Sequence, residues 1–199
     1  PKEISVESDW SSASYFYSIV AMAPIGFKIC LNSFKKDSIQ GDSLVKDFFQ
    51  IFGVETTFLN DSIIIEKVAE TKKSISLDLS SNPDLAQTIC VTCLGLKVSC
   101  NLKGLHTLKI KETDRLNALK NELSKFGLNV KITSDSIKFN SYVDLIPNVE
   151  IETYDDHRMA MAFACLSVKI NIIILNSQVV SKSCPSFWSD LSKIGIVSK

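Results

Sequence analysis

Two periodicities alternate along this chain. Apolar residues three and four apart predict helices over Ala13–Ala23, from Gly41-Asp42 to Gly53, and from Pro83 to Leu94. The same spacing predicts helices from the Lys111 cluster to Phe126, after Asp156, and over Phe187–Ile194. The inner stripe of the second helix reads as Leu44, Phe48 and Ile51; that of the fourth reads as Leu116, Leu119, Leu123 and Phe126, with Gly127 as its stop. Between the helices lie short β-branched runs. They predict strands at Glu3–Val6, Phe27–Leu31, Glu55–Leu59, Ser62–Glu66, Ser74–Leu79, Val98–Leu102, Val130–Thr133, Ser136–Phe139, Val149–Thr153 and Asn171–Leu175. Asn60-Asp61 and Ser134-Asp135 supply hairpin turns, and Ser81-Asn82-Pro83 caps the third helix with Pro83 in the first turn it tolerates.

The order of elements recurs. Phe52-Gly53 matches Phe126-Gly127 and Asp61-Ser62-Ile63 matches Asp135-Ser136-Ile137, both 74 residues apart. The pattern predicts an α/β (α+β) fold of three βαβαββ-type units, about 1–73, 74–146 and 147–199, the last lacking its hairpin, with helices packed inside and sheets outside. In this register Ser11, Asp84 and Arg158 occupy matching first-turn positions of three related helices, which a pseudo-threefold arrangement would bring towards one end.

Composition narrows the function classes. Lys+Arg and Asp+Glu are each 22, so the formal net charge is +0 and no global field recruits nucleic acid or an acidic membrane; any anion site must be local. No apolar run reaches about 18 residues and no signal peptide opens the chain. Of six cysteines, five lie in or beside apolar runs, and Cys90-Val-Thr-Cys93 has no second pair or nearby His to complete a zinc set. Buried, reduced thiols in a cytoplasmic protein are expected. Pro1 at the start suggests a piece of a longer polypeptide.

Against twenty lysines stand only two arginines, Arg115 and Arg158. Arg115 closes the cluster Lys111-Glu112-Thr113-Asp114-Arg115 and Arg158 lies in Asp155-Asp156-His157-Arg158-Met159, both at predicted helix starts, where cations cost stability unless an anion uses them. A guanidinium fork binds carboxylate or phosphate bidentately, which Lys cannot do. Asp84, Lys111, Glu112, Arg115, His157, Arg158 and Lys182 are the candidates. The cations suit a substrate carrying carboxylate and phosphate, and Asp84 and Glu112 suit proton transfer. Plainer readings stand beside this one. Asp84 also suits a helix dipole, Glu112 and Arg115 an i,i+3 surface pair worth ~0.3 kcal/mol, His157 a structural role, and Lys182 the solvent. No Gly-rich nucleotide loop is present.

Lys111-Glu112-Thr113-Asp114-Arg115-Leu116, Asp156-His157-Arg158-Met159-Ala160-Met161 and Ser11-Ser12-Ala13-Ser14-Tyr15-Phe16 together resemble the 5-enolpyruvylshikimate-3-phosphate synthases, and the likeness spans nearly the whole chain. Asp155, where that family often carries Asn, is a departure. The resemblance implies an enolpyruvyl-transferase lobe, the C-terminal of two, with the N-terminal lobe absent. It implies transfer of the enolpyruvyl group of phosphoenolpyruvate to the 5-hydroxyl of shikimate 3-phosphate, on the shikimate pathway to chorismate, by a cytoplasmic monomer without metal or organic cofactor. By similarity Asp84 takes the hydroxyl proton, Lys111 contacts the same hydroxyl, Glu112 protonates the methylene carbon, and Arg115, Arg158 and Lys182 hold phosphoenolpyruvate. The partners implied are the two substrates and the chain's own N-terminal lobe, with neither nucleic acid nor membrane; the fragment alone is expected to be inactive. Alternatives are a UDP-N-acetylglucosamine enolpyruvyl transferase and a non-catalytic anion-binding module.

Overall fold

A computed structural model of the chain describes residues 6–140 and 142–197. The expected strand Glu3–Val6 lies, apart from Val6, outside the described residues.

Three helices form the centre. In α3 (Ala86–Gly95) every residue is buried, as expected of a helix with no consistent polar face. In α1 (Trp10–Met22) the residues that escape burial are Ser11, Ser12 and Phe16. In α5 (His157–Ala164) they are His157 and Arg158, both in its first turn. Helix α1 begins three residues before the expected Ala13, because the Asp9 carboxylate accepts from the Ser11 and Ser12 amides at 3.1 and 2.9 Å and draws both serines into the first turn. Buried hydroxyls register α1 on α3: Ser14 and Thr88 meet at 3.0 Å, and Thr92 donates to Ser18 at 2.7 Å. Helix α5 joins them through the Cys165 thiol, which reaches the Tyr15 carbonyl at 3.3 Å.

The outer helices are α2 (Val45–Phe48), α4 (Arg115–Ser124) and α6 (Phe187–Lys193). Helix α2 is one α turn between two 3-10 segments, Gly41–Leu44 and Phe49–Phe52. Its buried stripe is Val45, Phe49 and Phe52, not the expected Leu44, Phe48 and Ile51; Leu44 is exposed and the other two only half-buried. The sequence offers adjacent apolar pairs, so either stripe is apolar. The tighter 3-10 winding turns the second member of each pair inward, where Phe49 packs on Tyr17 and Phe52 at ring distances of 5.6 and 5.0 Å.

Three small sheets accompany the helices. The first has order β1-β3-β2, from β1 (Lys28–Asn32), β2 (Val54–Phe58) and β3 (Ser62–Lys67), all antiparallel. The second has order β4-β5-β7-β6, from β4 (Ser74–Asp78), β5 (Ser99–Lys103), β6 (Lys131–Ile132) and β7 (Ile137–Phe139); β4 and β5 are parallel and the rest antiparallel. Strands β8 (Val149–Ile151) and β9 (Ile172–Ile174) pair in parallel, as β4 and β5 do. Cys90, Cys93, Cys100 and Cys165 are buried and Cys184 is half-buried, but Cys30 is exposed. The expectation for Cys30 fails because β1 turns Ile29 inward, and its neighbour must then face outward. Among the described residues no helix is long and apolar enough to cross a membrane.

Candidate active site

Asp84, Arg115 and Arg158 come together where the helix starts meet. Asp84 sits in a 3-10 turn, Pro83–Leu85, that leads into α3. Its Oδ1 lies 3.1 Å from Arg115 Nη1 and 3.3 Å from Lys111 Nζ, and its Oδ2 lies 3.3 Å from Arg158 Nη2. One carboxylate therefore serves three cations from two separate stretches of chain. Arg158 also donates to the Asp84 carbonyl at 3.4 Å and to the Ser11 hydroxyl at 3.5 Å, and Ser11 in turn donates to the Asp42 carboxylate. Ser11 and Asp84, matched to Arg158 by sequence register, are thus both in hydrogen-bond reach of it.

Arg115 is only 1% exposed, and all three of its guanidinium nitrogens are taken. Nε and Nη2 grip the Asp156 carboxylate at 2.6 and 3.2 Å, Nη1 donates to Asp84, and Nη2 donates to Glu112 at 2.6 Å. Asp156 is fully buried and also caps α5 by accepting from the Arg158 amide at 2.8 Å. Lys111 and Glu112 precede α4 rather than occupying its first turn. A 3-10 segment, His106–Ile110, leads into the cluster, and Asp114 caps the helix by accepting from the Asn117 amide at 3.1 Å. Both remain accessible, with side chains 34% and 45% exposed.

Burial works against the charge of Arg158, but Tyr15 and the carboxylates of Asp84, Asp42 and Asp9 outweigh it, and the guanidinium is held more firmly protonated than usual. His157 is half-buried, and that burial lowers its pKa below the ordinary 6.5. Asp156 and Glu112 pull the other way while Arg158 and Arg115 reinforce the shift, so His157 is neutral at pH 7 and adds no cation. Lys182 ends a 3-10 segment, Ser177–Lys182, that packs against α5; it is exposed, and among the described residues no ion pair ties it to the cluster.

Sequence reasoning passed over Asp156 and Asp42. Asp155 and Asp156 are adjacent and chemically identical, and which of them turns inward depends on the backbone before α5. A carboxylate three or four residues from an arginine would have been a signal; Asp156 is 41 residues from Arg115.

The arrangement is a cationic and carboxylic cluster at the convergence of helix starts on an α/β lobe, and the fold is that of an enolpyruvyl transferase lobe. The chain superposes on EPSP synthase from Acinetobacter baumannii with a TM-score of 0.80 at 23% identity, over 96% of this chain and 47% of that one. The enolpyruvyl transferase NikO from Streptomyces tendae follows with a TM-score of 0.68 at 10% identity, over 96% and 44%. The family described as EPSP synthase (3-phosphoshikimate 1-carboxyvinyltransferase) matches residues 1–191. The 3-phosphoshikimate 1-carboxyvinyltransferase of Bacteroides fragilis (strain YCH46) is 43% identical over 194 residues, 96% of this chain and 47% of that protein. That of Buchnera aphidicola subsp. Baizongia pistaciae (strain Bp) is 36% identical over 98% of this chain and 44% of that protein. The chain belongs to the EPSP synthase family, and it spans about half the length of the curated relatives it matches.

Proposed function

We propose that this chain is the C-terminal lobe of a two-lobe 3-phosphoshikimate 1-carboxyvinyltransferase, built from three βαβαββ-type units and supplying half of an interlobe site. The observation that carries this reading is the meeting of Lys111, Arg115 and Arg158 at Asp84, with Glu112 beside them. In the reaction the 5-hydroxyl oxygen of shikimate 3-phosphate bonds to C2 of phosphoenolpyruvate while a proton is added at the C3 methylene. Phosphate and a C3 proton then leave. Asp84 takes the hydroxyl proton and Lys111 contacts the same hydroxyl. Glu112, the more exposed carboxyl, delivers the methylene proton and recovers it. Lys182, outside any ion pair among the described residues, and Arg158, on releasing Asp84, turn towards the carboxylate and phosphate of phosphoenolpyruvate. Arg115 joins them through its Nη edge by releasing Glu112, while Asp156 keeps hold of Nε. Locking both substrates in line lowers the barrier further. The thiol chemistry and unremarkable net charge suit a cytoplasmic enzyme acting on small anions.

The test is phosphate release by the full two-lobe protein with both substrates present. Release that requires shikimate 3-phosphate is expected; release that requires a nucleotide sugar instead, or no release, would sink the reading.

A further inference from the structure

Helix α4 holds the segment before α5 at four alternate positions. Lys125 donates to the Glu150 carbonyl at 2.8 Å, the Glu152 amide donates to Glu122 Oε2 at 3.1 Å, the Tyr154 hydroxyl donates to Glu122 Oε1 at 2.7 Å, and Arg115 grips Asp156. The contacts from this segment are the backbone carbonyl of Glu150, the backbone amide of Glu152 and the side chains of Tyr154 and Asp156. On the other side stand Arg115 and Glu122, both buried on α4, and Lys125, the exposed residue at its C-terminal cap. Between the last two contacts the backbone leaves the extended region: Tyr154 and Asp155 have φ of 55° and 53°, a left-handed pair with no glycine in it. Such a turn persists only where its surroundings hold it. On one side the holder is the Arg115–Asp156 pair. On the other it is Glu122, a carboxylate with no exposed surface that spends its oxygens on Tyr154, Glu152 and Lys125. Burial and the Glu122 hydrogen bond push the Tyr154 phenol up to about 12, so the donor is present at every physiological pH.

The geometry points to Glu122 as a positioning residue of the active site, acting through Tyr154 to fix the turn that aims Asp156 at Arg115 and sets the first turn of α5. Neither residue touches the cluster around Asp84. The inference rests on the functional reading above for its kinetic consequence, but not for its structural one.

Two measurements separate these. The chain contains two arginines, so the guanidinium Nε–H region of its nitrogen-15 spectrum holds two signals. Arg115, with Nε 2.6 Å from a buried carboxylate, should give the downfield, slowly exchanging one. Tyr154→Phe removes one oxygen and little else, and it should move that signal upfield and speed its exchange with water by about tenfold. Glu122→Gln should do the same. In the two-lobe protein the same variants should raise KM for phosphoenolpyruvate about tenfold while leaving KM for shikimate 3-phosphate within about twofold. A merely structural role would reduce the folded fraction and leave both KM values alone. An unchanged Arg115 signal in Tyr154→Phe overturns the inference, as does an unchanged KM for phosphoenolpyruvate in an active two-lobe protein. If the unmutated two-lobe protein releases no phosphate, the functional reading fails while the Arg115 signal still decides the positioning.

Discussion

Asp84 is the counter-ion that keeps three cations within one carboxylate's reach, and Arg115 keeps three carboxylates within one guanidinium's reach. Taking so many charges out of water costs more than their attraction returns unless every donor and acceptor is used, and here each guanidinium nitrogen of Arg115 is used. His157 is the group of this cluster with a testable titration. Burial lowers its pKa from 6.5, so the unfolded chain takes up a proton at a pH where the folded chain does not. Stability from the neutral ring is therefore full above about pH 6.5 and is lost as pH falls from there through the lower folded value. His157→Gln removes the titration, and urea midpoints compared at about pH 7.5 and pH 5.5 should fall less with acid than those of the unmutated chain. A parallel fall in both would show that His157 is protonated as easily folded as unfolded. The charged residues of the cluster were legible because arginine is so scarce that each one needs a reason. Asp156 was not legible, since nothing in Asp155-Asp156 distinguishes the exposed carboxylate from the buried one before the left-handed turn is known.

At the scale of elements, the helices and hairpins were readable wherever one stripe or one alternation was available, as in α4 and in the β2–β3 pair. Reading failed where the sequence offered two equivalent choices. Leu44-Val45, Phe48-Phe49 and Ile51-Phe52 present two apolar stripes one residue apart, and only packing against Tyr17 selects between them. Cys30 failed for a related reason, since a strand with one buried face hides alternate residues whatever the local hydropathy. Gly53 and Gly127, matched in the sequence, end their helices with φ of 73° and 82°. Their surroundings differ. A Cβ at Gly53 would stand 2.0 Å from the Ala69 carbonyl oxygen, whereas one at Gly127 would meet nothing within 4 Å. Gly127→Ala should therefore cost only the left-handed backbone penalty, about 1 kcal/mol. Gly53→Ala must also displace the backbone that donates the Val68 and Ala69 amides to the Gly53 carbonyl, for about 3 kcal/mol or more. Urea unfolding of the two variants measures the difference, and equal losses would show that the Ala69 backbone yields freely.

On the scale of the whole molecule, charge balance limits what the cluster can attract by itself. Lys111, Arg115 and Arg158 are matched within the lobe by Asp84, Glu112 and Asp156, so the cluster presents no surplus positive charge to an incoming anion. The formal net charge of +0 supplies none from farther away, and at physiological ionic strength distant charges are screened beyond about 8 Å. An anion carrying both carboxylate and phosphate must then compete with internal carboxylates for each cation, and Lys182 is the candidate cation outside any ion pair among the described residues. The chain spans 47% of the Bacteroides fragilis relative, and on the proposed two-lobe reading the other lobe supplies the further positive charge. We expect phosphoenolpyruvate to bind this chain by itself with a Kd of about 1 mM or weaker, with no phosphate released, and binding to tighten by two orders of magnitude or more when the other lobe is present. Isothermal titration of the chain alone, then of the two-lobe protein, checks both halves of the expectation. Micromolar binding by the isolated chain would mean that Asp84 and Glu112 give way to the ligand without help, and that the internal carboxylates are weaker competitors than their distances imply.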